Sequence, residues 1–189
     1  MRHQRRSLSP EEQQKAAESL LRQLRTIPEL NTCASLAAYL ASDGEIDPAP
    51  FVQERRLAGT AIYLPAVHPE IPRSMIFRLY RENAPLSPNR FGIPEPEADS
   101  PAAAPWELDA ILVPLTAFDH LGNRLGMGGG YYDTALSRIA SAGRHVLTIG
   151  IAHGFQMVPA LPLREWDVPL AMVVTPDRIF RFTDTGVSG

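Results

Sequence analysis

LVPLTAFDHLGNRLGMGGGYYD, Leu112 to Asp133, passes from an apolar stretch through four glycines in five positions into a segment of helical periodicity. The apolar stretch, Leu108 to Val113, has strand length and no alternation, as expected of a strand buried on both faces. Tyr131 to Ala142 reads as a helix ending near Gly143. A strand that crosses glycines directly into a helix is half of a βαβ unit, and the rest of the chain repeats the alternation. Ser9-Pro10-Glu11-Glu12 starts a helix, with Ser9 as cap, Pro10 at the first helical position and Glu12 completing a capping box. Ala17, Leu20, Leu21 and Leu24 give that helix one apolar face. Ala34 to Leu40 reads as a strand closed by the turn Ser42-Asp43-Gly44, and Asp47-Pro48 opens a second helix reaching about Ala58. Ala61 to Leu64, Met75 to Tyr80, Val146 to Ala152, Ala171 to Thr175 and Ile179 to Phe182 read as further strands. The pattern predicts an α/β domain with a largely parallel sheet.

Between Arg81 and Leu108 six prolines (Pro85, Pro88, Pro94, Pro96, Pro101 and Pro105) exclude a long helix or a central strand. A connection of this length inside a compact domain is functional or a linker. Its flanks belong to one alternating pattern, so residues 81–108 are expected to be a functional loop within a single domain spanning 1–189. Residues 1–8 form a basic tail. The chain has 189 residues, 44% apolar and 21% charged, with a net charge of -3. That balance gives no reason to expect a nucleic-acid or membrane-surface partner. Cys33 is the sole cysteine, which excludes an internal disulfide and suits a reducing compartment. MRHQRRSLSPEE has no apolar core behind its charges and does not read as a secretory signal. A cytoplasmic monomer is the expectation. His68, His120, His145 and His153 show no metal-ligand spacing, and Cys33 reads as a small core residue.

The glycines carry the chemistry. Gly126, Gly128, Gly129 and Gly130 leave backbone N–H groups unshielded, and the following helix adds its own free N–H groups and positive dipole end. Arg124 supplies a fixed charge and a bidentate fork, so the segment reads as an anion cradle. A P-loop is excluded because its lysine is missing, and a dinucleotide fingerprint because Tyr131 stands where glycine is required. The simpler alternative is a glycine-rich turn that merely permits a tight strand-to-helix crossing.

FDHLGNRLGMGGGYYD closely resembles the signature of the 5-formyltetrahydrofolate cyclo-ligase family. YLASDGEID (Tyr39 to Asp47), FGIPEP (Phe91 to Pro96) and LPLREWDVPLAMVVTP (Leu161 to Pro176) agree with that family in order and spacing, so the resemblance covers nearly the whole chain. It implies a three-layer α/β/α domain similar to the sugar-isomerase and CoA-transferase-like architecture. It also implies the ATP-dependent conversion of 5-formyltetrahydrofolate to 5,10-methenyltetrahydrofolate, ADP and phosphate, through phosphorylation of the formyl oxygen. By the same resemblance Arg124, Leu125, Gly126, Met127, Gly128, Gly129, Gly130, Tyr131 and Tyr132 bind ATP, with Arg124 as the catalytic cation at the phosphates. Met127, Gly128, Gly129, Gly130 and Tyr131 also touch the folate, together with Leu40 and Glu45. Asp133 and Asp167 hold Mg2+.

Each of these roles has a packing alternative. Asp133 can compensate the dipole of its own helix, Asp167 can cap a turn, Glu45 can be a solvated loop acid, and Leu40 or a tyrosine can be core. Phe91 is either a wall of the pterin pocket or ordinary loop packing. The chain departs from the family pattern at its beginning. Many members carry a Lys-x-x-Leu-Arg element at the ATP phosphates, whereas here Lys15, the sole lysine, is out of register. Arg2, Arg5 and Arg6 are the substitutes at hand; a solvated tail or a shortened chain are the alternatives. Two other functions fit the chain less well. One is a sugar-phosphate isomerase of similar architecture; the other is a folate- or nucleotide-binding regulatory module without turnover.

Overall fold

The computed structural model describes residues 1–162, 164, 167–183 and 186–188. Its helices are α1 (Arg2–Arg6), α2 (Pro10–Arg25), α3 (Pro28–Thr32), α4 (Ala49–Leu57) and α5 (Tyr131–Ser141). Helix α2 begins as its sequence predicts. The Glu12 N–H donates to the Ser9 hydroxyl at 3.2 Å, and the Glu12 carboxylate accepts from the Ser9 N–H at 2.7 Å. Ala17, Leu20 and Leu24 are buried along one face. The Asp47 carboxylate accepts from the Ala49 N–H at 2.9 Å and so caps the entry to α4.

The strands are β1 (Ser35–Ala37), β2 (Ala61–Val67), β3 (Met75–Leu79), β4 (Leu86–Pro88), β5 (Pro94–Pro96), β6 (Ala102–Ala103), β7 (Ala110–Pro114), β8 (Ala117–Phe118), β9 (Arg124–Leu125), β10 (Leu147–Ile151), β11 (Met172–Val174), β12 (Ile179–Thr183) and β13 (Gly186–Ser188). Nine of them make one sheet in the order β13-β12-β11-β10-β7-β1-β2-β3-β6. The middle five, β11-β10-β7-β1-β2, run parallel, and antiparallel strands complete both edges. The centre is β7, whose Ala110 to Val113 are all buried. Its side chains divide between the faces with the strand period of two. Ala110 and Leu112 join the cluster containing Leu20, Leu24, Phe51 and Val52 of α2 and α4. Ile111 and Val113 join the cluster containing Ala135, Leu136 and Ile139 of α5. Helices therefore cover both faces, giving the three layers and largely parallel centre that the alternation and the resemblance predict.

Three features differ from the expectation in detail. Residues 2–6 are helical rather than a bare tail, and Arg5 is buried. The strand read as Ala34 to Leu40 stops at Ala37, where the chain leaves the sheet. The proline-rich loop carries two short ladders, β4 with β5 and β6 with β3, of two or three residues each. Strands this short satisfy part of the backbone where proline forbids longer pairing. Among the described residues no helix is long and apolar enough to cross a membrane.

Candidate active site

Three neighbouring parallel strands, β10, β7 and β1, release the chain at their carboxyl ends, where open α/β sheets bind ligands. Hydrogen bonds tie these exits together. The Gln156 amide, beyond β10, donates to the carbonyls of Leu115 at 2.8 Å and Thr116 at 3.0 Å, just beyond β7. His153 Nε2 lies 3.3 Å from the Gly44 carbonyl, beyond β1.

The exit from β7 does not run straight into glycines. It folds first into the β8–β9 hairpin, closed by Asp119, which is 1% exposed. Asp119 Oδ1 accepts from the N–H groups of Leu121 at 2.9 Å and Asn123 at 3.1 Å; Oδ2 accepts from the Asn123 amide at 3.0 Å and the Leu161 N–H at 3.1 Å. Burial pushes the Asp119 carboxyl up, but the bonds from Asn123, Leu121 and Leu161 outweigh it and hold the group below its ordinary value. Sequence reasoning missed this residue. Its signal was the Asp-x-x-Gly-Asn pattern of a tight turn.

After the hairpin the loop is open. A Cβ added at Gly126, Gly128 or Gly130 would meet no described atom within 4 Å. Gly128 and Gly130 have the positive φ that favours glycine, but Gly126 does not. Neither a positive φ nor a contact among the described residues therefore requires glycine at 126. Met127 stands 61% exposed in the same loop, and Leu125 is also exposed. Gly130 precedes α5, whose first-turn N–H groups face the loop.

Arg124 lies beneath this cradle with a side chain 4% exposed. Its Nη1 donates to the Val168 carbonyl at 2.7 Å and its Nη2 to Asp133 Oδ1 at 2.5 Å. Burial lowers its pKa, opposed by the charges of Asp133 and Asp167. Asp167 Oδ2 accepts from the Arg164 N–H at 3.0 Å. Asp133 and Asp167 thus act on one guanidinium, and both are only partly buried. Two partly buried carboxylates acting on one guanidinium beside the glycine loop are a fitting donor set for a hard divalent cation. Among the described residues no group of three or more His, Cys, Asp or Glu is arranged to hold a metal, so remaining ligands would come from phosphate and water.

Tyr132 connects this group to the exit from β1. Its buried hydroxyl has no hydrogen-bond partner among the described residues, and burial, then the nearby Glu45 charge, pushes the phenol far above its ordinary value. Glu45 Oε2 accepts from the Ser42 N–H at 3.1 Å, and burial raises the Glu45 carboxyl. Tyr39, below it, donates to the Ile46 carbonyl at 2.7 Å. Leu40, 38% exposed, lines an adjoining cleft with Tyr39, Arg56 and Tyr80. The proline-rich loop reaches the site too. Arg90 donates to the Tyr131 hydroxyl at 3.1 Å, and the exposed Phe91 ring meets the Tyr131 ring edge-on at 6.1 Å.

Arg2, Arg5 and Arg6 converge on Asp43, which the sequence reading treated as a turn residue only. Arg2 Nε lies 2.7 Å and Arg5 Nη2 3.0 Å from Asp43 Oδ2, and Arg6 Nε bonds Oδ1. The hydrogen bond from Arg2, then that from Arg6, holds the Asp43 carboxyl down to about 2 against the cost of burial.

A family model described as the 5-formyltetrahydrofolate cyclo-ligase family matches residues 1–176. The 5-formyltetrahydrofolate cyclo-ligase of Escherichia coli (strain K12) is 38% identical over 185 residues, covering 96% of this chain and all of the relative. That of Haemophilus influenzae is 35% identical over 167 residues, 88% of each chain. Among solved structures, the 5,10-methenyltetrahydrofolate synthetase of Aquifex aeolicus superposes with a TM-score of 0.81 at 33% identity, covering 97% of this chain and 89% of the other.

Proposed function

The chain belongs to the 5-formyltetrahydrofolate cyclo-ligase family, and we propose that it closes the imidazoline ring of 5,10-methenyltetrahydrofolate at the glycine cradle described above. It is a ligase: ATP and 5-formyltetrahydrofolate are its substrates, and methenyltetrahydrofolate, ADP and phosphate its products. The observation that carries the placement is Gly126, a glycine that nothing among the described residues requires, facing open space beside a buried arginine.

A formamide oxygen is a poor leaving group, so ring closure with loss of water is slow. In the reaction the formyl oxygen attacks the γ-phosphorus and ADP leaves. N10 then attacks the activated carbon, its proton is lost, and phosphate departs with the former formyl oxygen. Such chemistry needs alignment and charge stabilisation more than a strong acid or base. The backbone N–H groups of 126–130 and the start of α5 receive the phosphates, with Leu125, Met127, Tyr131 and Tyr132 around the nucleotide. Arg124, fixed through Val168, stabilises charge on the transferring group with the nitrogen it now shares with Asp133. Asp133 and Asp167 are the residues that would hold Mg2+, whose charge offsets that of the phosphates.

Met127, the adjoining glycines and Tyr131 face the folate, with Leu40 at its wall and Phe91 closing from the proline-rich loop. Glu45 accepts hydrogen bonds from the pterin amino and ring N–H groups, a pairing that a two-oxygen, acceptor-only carboxylate suits. All these residues come from one chain, so a monomer suffices for the reaction, and an ATP-using enzyme with one cysteine suits the cytoplasm.

An isotope experiment tests the phosphorylated intermediate. With 18O in the formyl group, the label is expected in the released inorganic phosphate. Label found in water instead would overturn the phosphoryl-transfer route.

A further inference from the structure

Arg5 belongs to a five-residue helix, yet its side chain is 1% exposed. Nη1 donates to the Leu115 carbonyl at 3.0 Å, and Nη2 to Asp43 at 3.0 Å. Nη1 also lies 3.9 Å from Glu45 Oε1, the carboxylate oxygen that Ser42 leaves over. Among the described residues Arg5 is the one cation paired with Glu45. The rest of α1 is fitted to the same loop. The Gln13 amide bridges the carbonyls of Arg5, at 3.3 Å, and Gly44, at 3.1 Å. Gly44 has φ +74°, and a Cβ there would sit 2.5 Å from the Arg5 carbonyl oxygen, so glycine is what lets α1 lie against the loop.

We infer that Arg5 is a positioning residue for folate: from α1 it holds the 42–45 loop and aims the Glu45 carboxylate at the pterin ring. This rests on the reading of Glu45 as the pterin's acceptor. The alternative, that the basic segment meets the ATP phosphates, requires Arg5 to leave an enclosed site in which both terminal nitrogens are bonded. Without Arg5, Arg2 and Arg6 still neutralise Asp43, but Glu45 loses its cation and swings with Ser42.

Steady-state kinetics on the full chain test this, with ATP and 5-formyltetrahydrofolate varied in turn. With the loss of a buried charge 3.9 Å from the binding carboxylate, Arg5→Ala is expected to raise KM for the folate about tenfold and to leave KM for ATP unchanged. Arg5→Lys keeps the charge and the helix, and remains informative if the alanine variant folds poorly; it should raise the folate KM about threefold, since one ammonium replaces a two-pronged contact. Glu45→Gln should raise the folate KM alone, and the double variant Arg5→Ala/Glu45→Gln should be no worse than the poorer single one, because both act through one group. A rise in KM for ATP with an unchanged folate KM would move Arg5 to the phosphates and overturn the inference. Equal rises in both would reduce it to general packing and overturn it as well. If Glu45→Gln leaves folate binding untouched, the reading of Glu45 fails and takes this inference with it. If Glu45→Gln weakens folate while the Arg5 variants do not, only the positioning role fails.

Discussion

At the scale of single residues, glycines that look alike in the sequence have different causes. Gly44 is set by a neighbour, Arg5, whose backbone occupies the place of its side chain. Gly126 has no positive φ and meets no described atom, so nothing among the described residues sets it, and the proposed reading gives that place to the phosphates. The two readings separate in one variant. Gly126→Ala should change stability by less than about 0.5 kcal/mol, because no packing is disturbed. It should still lower kcat/KM for ATP by about 10- to 100-fold, because a methyl group displaces the phosphates from the cradle. Thermal unfolding and ATP-dependent kinetics on the same preparation check both halves. A stable variant with unchanged kinetics would reduce the glycines to a turn. The residue types around the cradle were legible in the sequence, but their pairing was not. Arg124 and Asp133 are nine positions apart and meet at 2.5 Å through the path of an irregular loop, which no periodicity encodes.

At the scale of elements, legibility followed the source of each element's stability. Helix α2 was readable because its cap, Pro10 and apolar stripe are local. Strand β7 was readable because burial on both faces demands a continuous apolar run. Helix α1 was not, since RHQRR has no apolar face and owes its place to Asp43, 37 to 41 positions away. The β8–β9 hairpin escaped for a similar reason: two-residue strands carry no alternation, and the buried Asp119 holds them. The docking of α1 has a pH signature. The Asp43 carboxyl is held near 2, below its ordinary 3.8, so its contribution to stability is complete above the ordinary value and is lost as pH falls through the depressed one. Asn tolerates the left-handed φ of +52° at this position, which makes Asp43→Asn a fair reference. Chemical denaturation from pH 6 downward should show the parent more stable than Asp43→Asn above about pH 4, with the gap closing toward about pH 2. A gap that stays constant through that window would mean the arginines do not hold Asp43 in solution.

At the scale of the whole molecule, the parallel centre of the sheet explains why distant segments share one site. β1, β7 and β10 lie side by side and end on the same edge, so residues 38–45, 115–130 and 152–156 converge there. The proline-rich loop reaches the same edge through Arg90 and Phe91 on Tyr131. Family membership extends over residues 1–176 and takes in every segment that reaches the site. The central claim is that this site couples ATP to ring closure, and one measurement tests it most directly. Purified protein is mixed with 5-formyltetrahydrofolate and Mg2+, with and without ATP, while methenyltetrahydrofolate absorbance and ADP are followed together. The account predicts a chromophore that grows only with ATP, with one ADP formed per ring closed. Folate that binds without forming the chromophore, or a chromophore that forms equally well without ATP, would contradict it.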